Sequence, residues 1–280
     1  MLRIATDSTA DMPPGWEKEY EVDVIPINIQ FGEKTFLQGV DISYEDFYRM
    51  VDESGQIPKT SQPTPHQFEE FYKRIAKAGD TILSMHVTAK LSGTFDSAVV
   101  AARELLGKYK IIPFDSASGS AALGYMCREA RLMDRAGVGI QKIIERMEAI
   151  RKSVRIVLTL DTLDYARMSG RVGTLQAALA SALNVKPIVV LKDGILEMSE
   201  RVRTRSKALE RVFELVSGEF GKRLVNVAVI HARDEASGKL LLERARSVFN
   251  FKDLIMTDLA TSLTAQFGPG TVGLVAYPVE

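Results

Sequence analysis

Apolar and polar positions follow two periods along this chain, and these periods predict strands and helices in regular succession. Short apolar runs at residues 2–6 and 81–87 indicate buried strands, whereas apolar positions three and four apart indicate amphipathic helices. Further strands are expected at 22–31, 110–114, 155–160, 224–232, 253–259 and 272–277. A first helix is expected to start at Pro13 and Pro14. Further helices are expected at 44–53, 66–78, 95–102, 121–135, 140–152, 163–168, 175–183, 205–220 and 235–248. This alternation predicts α/β architecture with helices packed on sheets.

The second half of the chain carries a hairpin signal that the first half lacks. Asp193 and Gly194 separate the apolar segments 187–191 and 195–198, and this residue pair favours a tight antiparallel turn. A glycine-containing segment at 136–139, followed by one more helix, marks a natural boundary before it. We therefore predict two domains, residues 1–153 and 154–280, with antiparallel pairing in the second.

Two stretches place hydroxyl groups just ahead of predicted helices. In the first, Thr60 and Ser61 precede a predicted helix cap at Thr64. In the second, the turn Ser92-Gly93-Thr94 follows a strand and opens a small-residue helix. Backbone N–H groups and the dipole at a helix start favour an anion, so this turn is a candidate site for a carboxylate or a phosphate. Simple helix capping is the alternative for either stretch alone.

Composition narrows the class of protein. The 280 residues are 46% hydrophobic and 26% charged, as in soluble globular proteins. Lys plus Arg and Asp plus Glu both number 36, so bulk charge gives no reason to expect a nucleic-acid partner. The lone Cys127 excludes an internal disulfide and most metal frameworks, and we find no signal peptide and no membrane-spanning stretch. We expect a cytoplasmic protein without metal or cofactor, with transient membrane contact left open.

Three further patterns suggest chemistry but lack the context for it. Residues 268–273 match G-x-G-x-x-G, yet β-branched residues follow where a dinucleotide site needs a helix, so we expect a turn that places Gln266 beside a pocket. Asp7 follows the first strand as in aspartyl-phosphate phosphatases, but Thr9 stands where the second carboxylate is needed. The three histidines, His66, His86 and His231, have no metal-ligand spacing, and no G-x-S-x-G elbow accompanies them, so we expect each to be a surface or structural imidazole. The enzyme alternative is a small-molecule phosphatase or hydrolase using Asp7 or Ser92.

Four cations lie within residues 201–207, just before the predicted helix 205–220. Such a cluster is typical of a solvated helix face. It also suits a phosphate-binding or docking surface, because guanidinium groups bind phosphate bidentately.

The order of motifs along the chain resembles that of the DegV family. The motifs are Asp7-Ser8-Thr9-Ala10-Asp11, Thr60-Ser61-Gln62-Pro63, Leu91-Ser92-Gly93-Thr94, Ser169-Gly170-Arg171-Val172 and Gly268-Pro269-Gly270-Thr271. The resemblance covers residues 2–278, and five motifs in order are far more specific than any one of them. It implies a two-domain fold, with an N-terminal α/β/α domain around a parallel sheet and a C-terminal α/β domain around a mixed sheet.

The same resemblance implies a function. DegV-family proteins bind a long-chain fatty acid between the domains, and they are carriers, not catalysts. The best-understood members present the fatty acid to an ATP-dependent fatty acid kinase, which converts the carboxylate to an acyl phosphate. Carried onto this chain, the carboxylate contacts are expected at Thr60, Ser61, Ser92, Gly93, Arg171 and Gln266. Arg203 and Arg205 match the family's Arg-Thr segment and are candidates for the surface that meets the kinase.

Two positions depart from the family pattern. Gln266 stands where the family usually has histidine, and its amide can donate a hydrogen bond but cannot carry a proton or a positive charge. Phe95 replaces the usual tyrosine after the Ser-Gly-Thr turn. Both changes concern the contacts around the ligand head group.

Overall fold

The computed structural model describes residues 1–170 and 185–279. The chain divides into two units, Met1–Arg151 and Lys152–Glu280. The predicted helix 175–183 and the predicted turn around Arg171 lie outside the described residues.

The first unit is built on a parallel sheet and a smaller antiparallel one. Its strands are β1 (Leu2–Asp7), β2 (Val22–Ile25), β3 (Asn28–Phe31), β4 (Lys34–Leu37), β5 (Lys59–Ser61), β6 (Thr81–His86) and β7 (Lys110–Asp115). The four-stranded sheet has the order β2-β1-β6-β7 with every pair parallel, and the three-stranded sheet has the antiparallel order β4-β3-β5. The predicted parallel sheet of the N-terminal domain is confirmed.

The described helices of the first unit flank its sheets, and α3, α4 and α5 pack on the parallel one. They are α1 (Trp16–Glu19), α2 (Tyr44–Ser54), α3 (Pro65–Ile75), α4 (Thr94–Glu104), α5 (Ser120–Arg135) and α6 (Ile140–Ser153). Helices α3 and α4 bury Phe68, Tyr72 and Ala98 against Ala5 and Ile82 of the sheet. Helix α5 packs against β1 and β6. Burial is continuous from Ile4 to Asp7 in β1 and from Ile82 to His86 in β6, without alternation, which is typical of parallel strands covered on both faces.

The second unit contains a mixed sheet. Its strands are β8 (Arg155–Thr159), β9 (Lys186–Lys192), β10 (Ile195–Val202), β11 (Leu224–His231), β12 (Asn250–Asp258) and β13 (Val272–Pro278), in the order β10-β9-β8-β13-β11-β12. Only β11 and β12 pair in parallel; the other described pairs of this sheet are antiparallel. The predicted mixed sheet is therefore confirmed. The predicted hairpin is confirmed as well, with Asp193 at φ 49° and Gly194 at φ 78° in its turn.

The described helices of the second unit are α7 (Asp164–Ser169), α8 (Arg205–Phe220), α9 (Glu235–Val248) and α10 (Thr261–Phe267). Helices α8 and α9 bury Val212, Phe213 and Leu241 against Val227 and Leu274 of the sheet. The apolar positions of α8 recur every three to four residues, so burial of one stripe on the sheet fixes its orientation.

Three expectations about local structure need correction. The run 22–31 is two strands rather than one, because Pro26 interrupts it and the halves join different sheets. Strands β4 and β5 and helix α10 had no strong periodic signal and were not predicted. The helix expected at Pro13 and Pro14 begins later, at Trp16, and is a single turn.

Candidate functional site

Three loops gather at the carboxyl edge of the parallel sheet. Strands β1, β6 and β7 end there at Asp7, His86 and Asp115. Because the strands are parallel, the segments that follow them lie at the same edge, where α/β sheets place their ligand sites. The segment after His86 contains the predicted Ser92-Gly93-Thr94 turn and leads into α4.

The two hydroxyl stretches meet in the structure. Thr60 and Ser61 lie in β5, opposite Ile29 and Asn28 of β3. The side-chain amide of Asn28 donates to the carbonyl oxygen of Gln62 at 3.2 Å. The amide of Gln62 in turn lies against Gly93, since a methyl group at Gly93 would approach Nε2 of Gln62 to 2.8 Å. Gln62 therefore joins the stretch around Thr60 to the start of α4, a role that sequence reasoning did not assign to it.

Ser92 forms a serine turn rather than a strict N-cap. The N-cap residue of α4 is Gly93, and no side chain caps that position. The Oγ atom of Ser92 accepts from the backbone N–H of Thr94 at 3.3 Å and shares a hydrogen bond with Thr94 Oγ1 at 2.8 Å. When the buried Thr94 hydroxyl is the donor of that shared bond, the Ser92 hydrogen is free for a ligand oxygen. The half-buried Ser92 can therefore serve the helix and a ligand together.

The first turn of α4 offers further donors. In the part of the chain that the structure describes, the N–H groups of Phe95 and Asp96 have no hydrogen-bond acceptor. A helix start of this kind attracts a negative group. Asp96 places one exposed carboxylate in the same turn. The dipole of α4 therefore acts on this carboxylate as well as on an anion that binds at the helix start.

Asp7 is a structural carboxylate. Its side chain is fully buried. Oδ1 accepts hydrogen bonds from the amide and the hydroxyl of Thr9, at 3.0 and 2.6 Å. Oδ2 accepts from the amide of Val87 at 3.0 Å and from His86 Nδ1 at 3.1 Å. Burial raises the pKa of Asp7, but the hydrogen bonds that it accepts from His86, Thr9 and Val87 outweigh this effect, so the pKa lies below its usual value. A carboxylate held in this way, and closed off from solvent, cannot act as a nucleophile. The hydrolase or phosphatase alternative through Asp7 is not supported.

His86 belongs to a buried chain of polar side chains. Its Nε2 lies 2.7 Å from Ser84 Oγ, which lies 2.9 Å from the hydroxyl of Tyr72. An ionised Asp7 can only accept, so we assign a proton to His86 Nδ1. When the ring carries that proton alone, Nε2 accepts from Ser84. Burial raises the pKa of Tyr72 well above its usual value, so the phenol keeps its proton and donates to Ser84. With His86 engaged on both nitrogens, it is no base for Ser92, and the hydrolase alternative through Ser92 is not supported either.

The second unit holds Gln266 in helix α10. Its side chain is buried. The following turn packs closely on α7 and the loop before it, because a Cβ at Gly268 would lie 2.8 Å from the Tyr165 ring and one at Gly270 would lie 2.8 Å from Asp161. Strand β13 then begins at Val272. The expected glycine-rich turn is confirmed and the dinucleotide motif is excluded, since a strand, not a helix, follows. Arg171 lies outside the described residues.

The two predicted docking residues differ in their surroundings. Arg203 is exposed and has no ion pair with any described residue. Arg205, at the start of α8, is half-buried and donates to Asp234 at 2.5 Å. Asp234 also accepts from the amide of Ser237 at 3.1 Å as the N-cap of α9. Arg205 therefore links the starts of two helices, whereas the side chain of Arg203 is exposed to solvent.

Two negative findings apply to residues 1–170 and 185–279. No group of three or more His, Cys, Asp or Glu side chains in them could hold a metal ion. None of their helices is both long enough and apolar enough to span a bilayer.

Comparison with known proteins gives a consistent result. The model of the DegV family, described as a family of uncharacterised proteins, matches residues 1–279. A DegV domain-containing protein of Streptomyces coelicolor is 34% identical over 98% of this chain and 97% of its own. A protein of Thermotoga maritima described as fatty acid-binding is 29% identical over 97% of this chain and 96% of its own. The structure of a fatty acid-binding DegV family protein from Thermus thermophilus superposes with a TM-score of 0.92 at 28% identity, covering 99% of both chains. The Thermotoga and Thermus proteins are described by what they bind, and none of the three is described as an enzyme. The chain belongs to the DegV family.

Proposed function

We propose that this protein binds a long-chain fatty acid and holds its carboxylate with the hydroxyl-bearing loops of the first unit. The supporting observation is that the Thr60 stretch and the Ser92 turn, distant in sequence, meet at Gln62 and Gly93 in front of α4. The description of the Thermus and Thermotoga relatives as fatty acid-binding agrees with a carboxylate there. Ser61, Arg171 and Gln266 are further predicted contacts of the head group.

The chemistry of these loops suits a carboxylate. A carboxylate accepts hydrogen bonds only, and hydroxyls and backbone N–H groups are donors that do not require the ligand to lose its charge. Each charge-assisted bond contributes about 1.5–3 kcal/mol. Burial of about sixteen methylenes at about 0.8 kcal/mol each gives a gross term of order 10 kcal/mol before ordering costs. The acyl tail thus supplies most of the affinity, and the loops determine its orientation.

We further propose that the protein is a carrier that presents the fatty acid to a fatty acid kinase, with Arg203 on the surface that meets it. Support comes from the exposure of Arg203 and its lack of an ion pair with any described residue. Arg205 contributes to that surface by fixing the start of α8 through Asp234. Cationic side chains at a rim affect partner association more than ligand binding.

The first experiment is extraction of the purified protein followed by mass spectrometry, with loading of the lipid-stripped protein by oleate or palmitate. We expect a co-purified or loadable fatty acid. A protein that carries none and takes up none under native conditions would refute the proposal.

Ser92→Ala tests the carboxylate contact against a matched control. If Ser92 donates to the ligand, its loss should weaken fatty-acid binding by about ten- to a hundredfold, the equivalent of about 1.5–3 kcal/mol. Ser43→Ala is the control, since the Ser43 hydroxyl accepts from the Asp46 amide at 3.0 Å as the N-cap of α2. It should cost about 1 kcal/mol of stability and leave affinity unchanged. Equal affinities of the two variants would remove Ser92 from the site.

The carrier role has its own test. Arg203→Glu should slow phosphorylation of the bound fatty acid by an added fatty acid kinase and leave fatty-acid affinity unchanged. If the rate of phosphorylation and the fatty-acid affinity both fall, Arg203 serves the fold or the ligand. If no kinase acts on the loaded wild-type protein, the presenting role is wrong while lipid binding stands.

A further inference from the structure

We infer that Asp7 is a positioning residue for Ser92: it holds the loop that carries the Ser92 hydroxyl, and so sets fatty-acid affinity without touching the ligand. This inference rests on the proposed binding of a carboxylate by Ser92. It starts from the observation that Asp7 is a fully buried carboxylate surrounded by donors at the edge where that loop begins.

The connection from Asp7 to Ser92 runs along the backbone of residues 87–92. Asp7 Oδ2 accepts from the amide of Val87, the first residue after β6, at 3.0 Å. The carbonyl oxygen of the next residue, Thr88, accepts from the amides of Leu91 and Ser92 at 3.2 and 3.3 Å. The position of Ser92 is therefore defined relative to Thr88. Thr88 is the residue after Val87, whose amide is hydrogen-bonded to Asp7.

The β7 loop supports the same segment from another direction. The amide of Thr88 donates to the carbonyl oxygen of Ser118 at 2.8 Å, and the amide of Ala89 donates to Asp115 Oδ1 at 3.2 Å. Two acidic strand ends, Asp7 and Asp115, thus hold the Ser92 loop. Of the two, only Asp7 is fully buried and aligned by a second side chain.

His86 supplies that alignment. Its ring bonds Asp7 through Nδ1 and Ser84 through Nε2, and Phe68 packs edge-on against it with ring centroids 5.0 Å apart. With the Tyr72 hydroxyl donating to Ser84, the chain of hydrogen bonds from Tyr72 to Asp7 has one direction and leaves no donor unpaired. The orientation of the carboxylate, and with it the Val87 amide, is fixed from inside the core.

The negative charge of Asp7 is required by this geometry. The described contacts of its two oxygens are all donors, contributed by Thr9, Val87 and His86. An asparagine would turn its NH₂ group toward two of those donors, so that the loop would shift or the donors would lose their acceptor. Asp7→Asn therefore alters the Ser92 loop while leaving the apolar core in place.

A double-mutant cycle on fatty-acid affinity tests the inference, with oleate as the ligand and the full-length chain. Asp7→Asn alone should weaken binding roughly threefold or more, but by no more than Ser92→Ala does, since it acts through the same contact. In the Ser92→Ala background, Asp7→Asn should change affinity by a factor close to one. If Asp7 is purely structural, the two substitutions should lower the affinity independently, so that their factors multiply, or Asp7→Asn should not lower it at all. Either result overturns the inference.

Two substitutions of His86 provide a second test that stands if Asp7→Asn does not fold. Asparagine can place an N–H near the position of histidine Nδ1, whereas leucine offers no donor. Both lose the bond to Ser84 and the ring contact with Phe68, so their stabilities should fall together. His86→Asn should weaken oleate binding less than His86→Leu, and equal affinities would overturn the positioning role. A wild-type protein that binds no oleate would refute the proposed function itself, whereas normal wild-type binding with an additive cycle would refute only this inference.

Discussion

Gly124 should tolerate no side chain, because α5 lies against the loop after β1 at this residue. A Cβ at Gly124 would lie 2.3 Å from the carbonyl oxygen of Asp11, about 1 Å inside ordinary contact distance, and 3.0 Å from the side chain of Met12. The carbonyl belongs to the backbone, so no change of rotamer relieves the overlap. Ser120, on the same helix, also donates to the buried carboxylate of Asp11, so the helix and the loop cannot separate independently.

The expected change in stability on substituting Gly124 by alanine follows from two opposing effects. Alanine gains about 1 kcal/mol over glycine in a helix interior, while overpacking against a fixed backbone costs about 1–3 kcal/mol and occasionally more. Since separation would also strain the bond from Ser120 to Asp11, we expect Gly124→Ala to destabilise the first unit by about 2 kcal/mol. Gly218→Ala is the control, because Gly218 lies exposed in α8 with nothing within 4 Å of an added Cβ. At Gly218 the preference of alanine for the helix is unopposed, so the substitution should stabilise the second unit by about 0.5–1 kcal/mol.

The single tryptophan makes the first measurement direct. Trp16 contacts the ring of Tyr125, the residue after Gly124, at 5.7 Å between centroids, so its fluorescence reports unfolding of the first unit. Urea titrations followed by fluorescence give the loss of stability for Gly124→Ala. Titrations followed by circular dichroism, which reports the helices and strands of both units, give the gain for Gly218→Ala. If Gly124→Ala is as stable as wild type, the close approach of α5 to the loop is wrong.

The remaining predictions concern reactivity, pH and one ion pair. Burial raises the pKa of Cys127 to about 12, so a thiol reagent at pH 8 should label the native protein no faster than it unfolds; labelling within seconds would contradict the buried position. Because the folded-state pKa of Asp7 is lowered, its ionised form stabilises the fold above about pH 4, and the contribution is lost as the pH falls through the folded-state pKa. The difference in unfolding free energy between wild type and Asp7→Asn should therefore be constant near neutral pH and shrink below about pH 4 in urea titrations; a pH-independent difference would show that the charge is immaterial. Arg205→Ala should cost about 1 kcal/mol in thermal melts through the lost bond to Asp234, whereas Arg203→Ala should cost nothing measurable; equal melting temperatures for the two would disprove the structural role of Arg205.

Local signals in the sequence predicted the local structure well. The capping box at Thr64 is present in full, with Thr64 and Gln67 bonding each other's backbone amides. The Asp193-Gly194 turn forms the expected hairpin. These features depend on residues within a few positions of one another, and such interactions are visible in a linear pattern.

Contacts between distant residues could not be predicted in the same way. Asp7 and His86 are 79 positions apart and touch only because β1 and β6 are neighbours in the sheet. Each appeared in the sequence as an isolated polar residue near a strand end. The expectation that His86 is a structural or surface imidazole is resolved as structural, and its partner could be found only from the strand order.

The candidate site contains both a feature visible in the local sequence pattern and a contact between distant residues. The anion-binding potential of the Ser92 turn followed from the pattern of strand, turn and helix. Its proximity to the Thr60 stretch did not, because it depends on β5 pairing with β3 and on Gln62 lying across Gly93. All the predicted contacts of the carboxylate stay predictions: Thr60, Ser61, Ser92, Gly93, Arg171 and Gln266.

The position of β13 has a consequence for biosynthesis. This last strand, Val272–Pro278, lies between β8 and β11 in the middle of its sheet. Until it leaves the ribosome, β10-β9-β8 and β11-β12 are separate ribbons, each with an open edge able to pair with another chain. The second unit can therefore complete its sheet only after β13 has been translated, and a chain truncated before Val272 should aggregate rather than fold to a smaller native form.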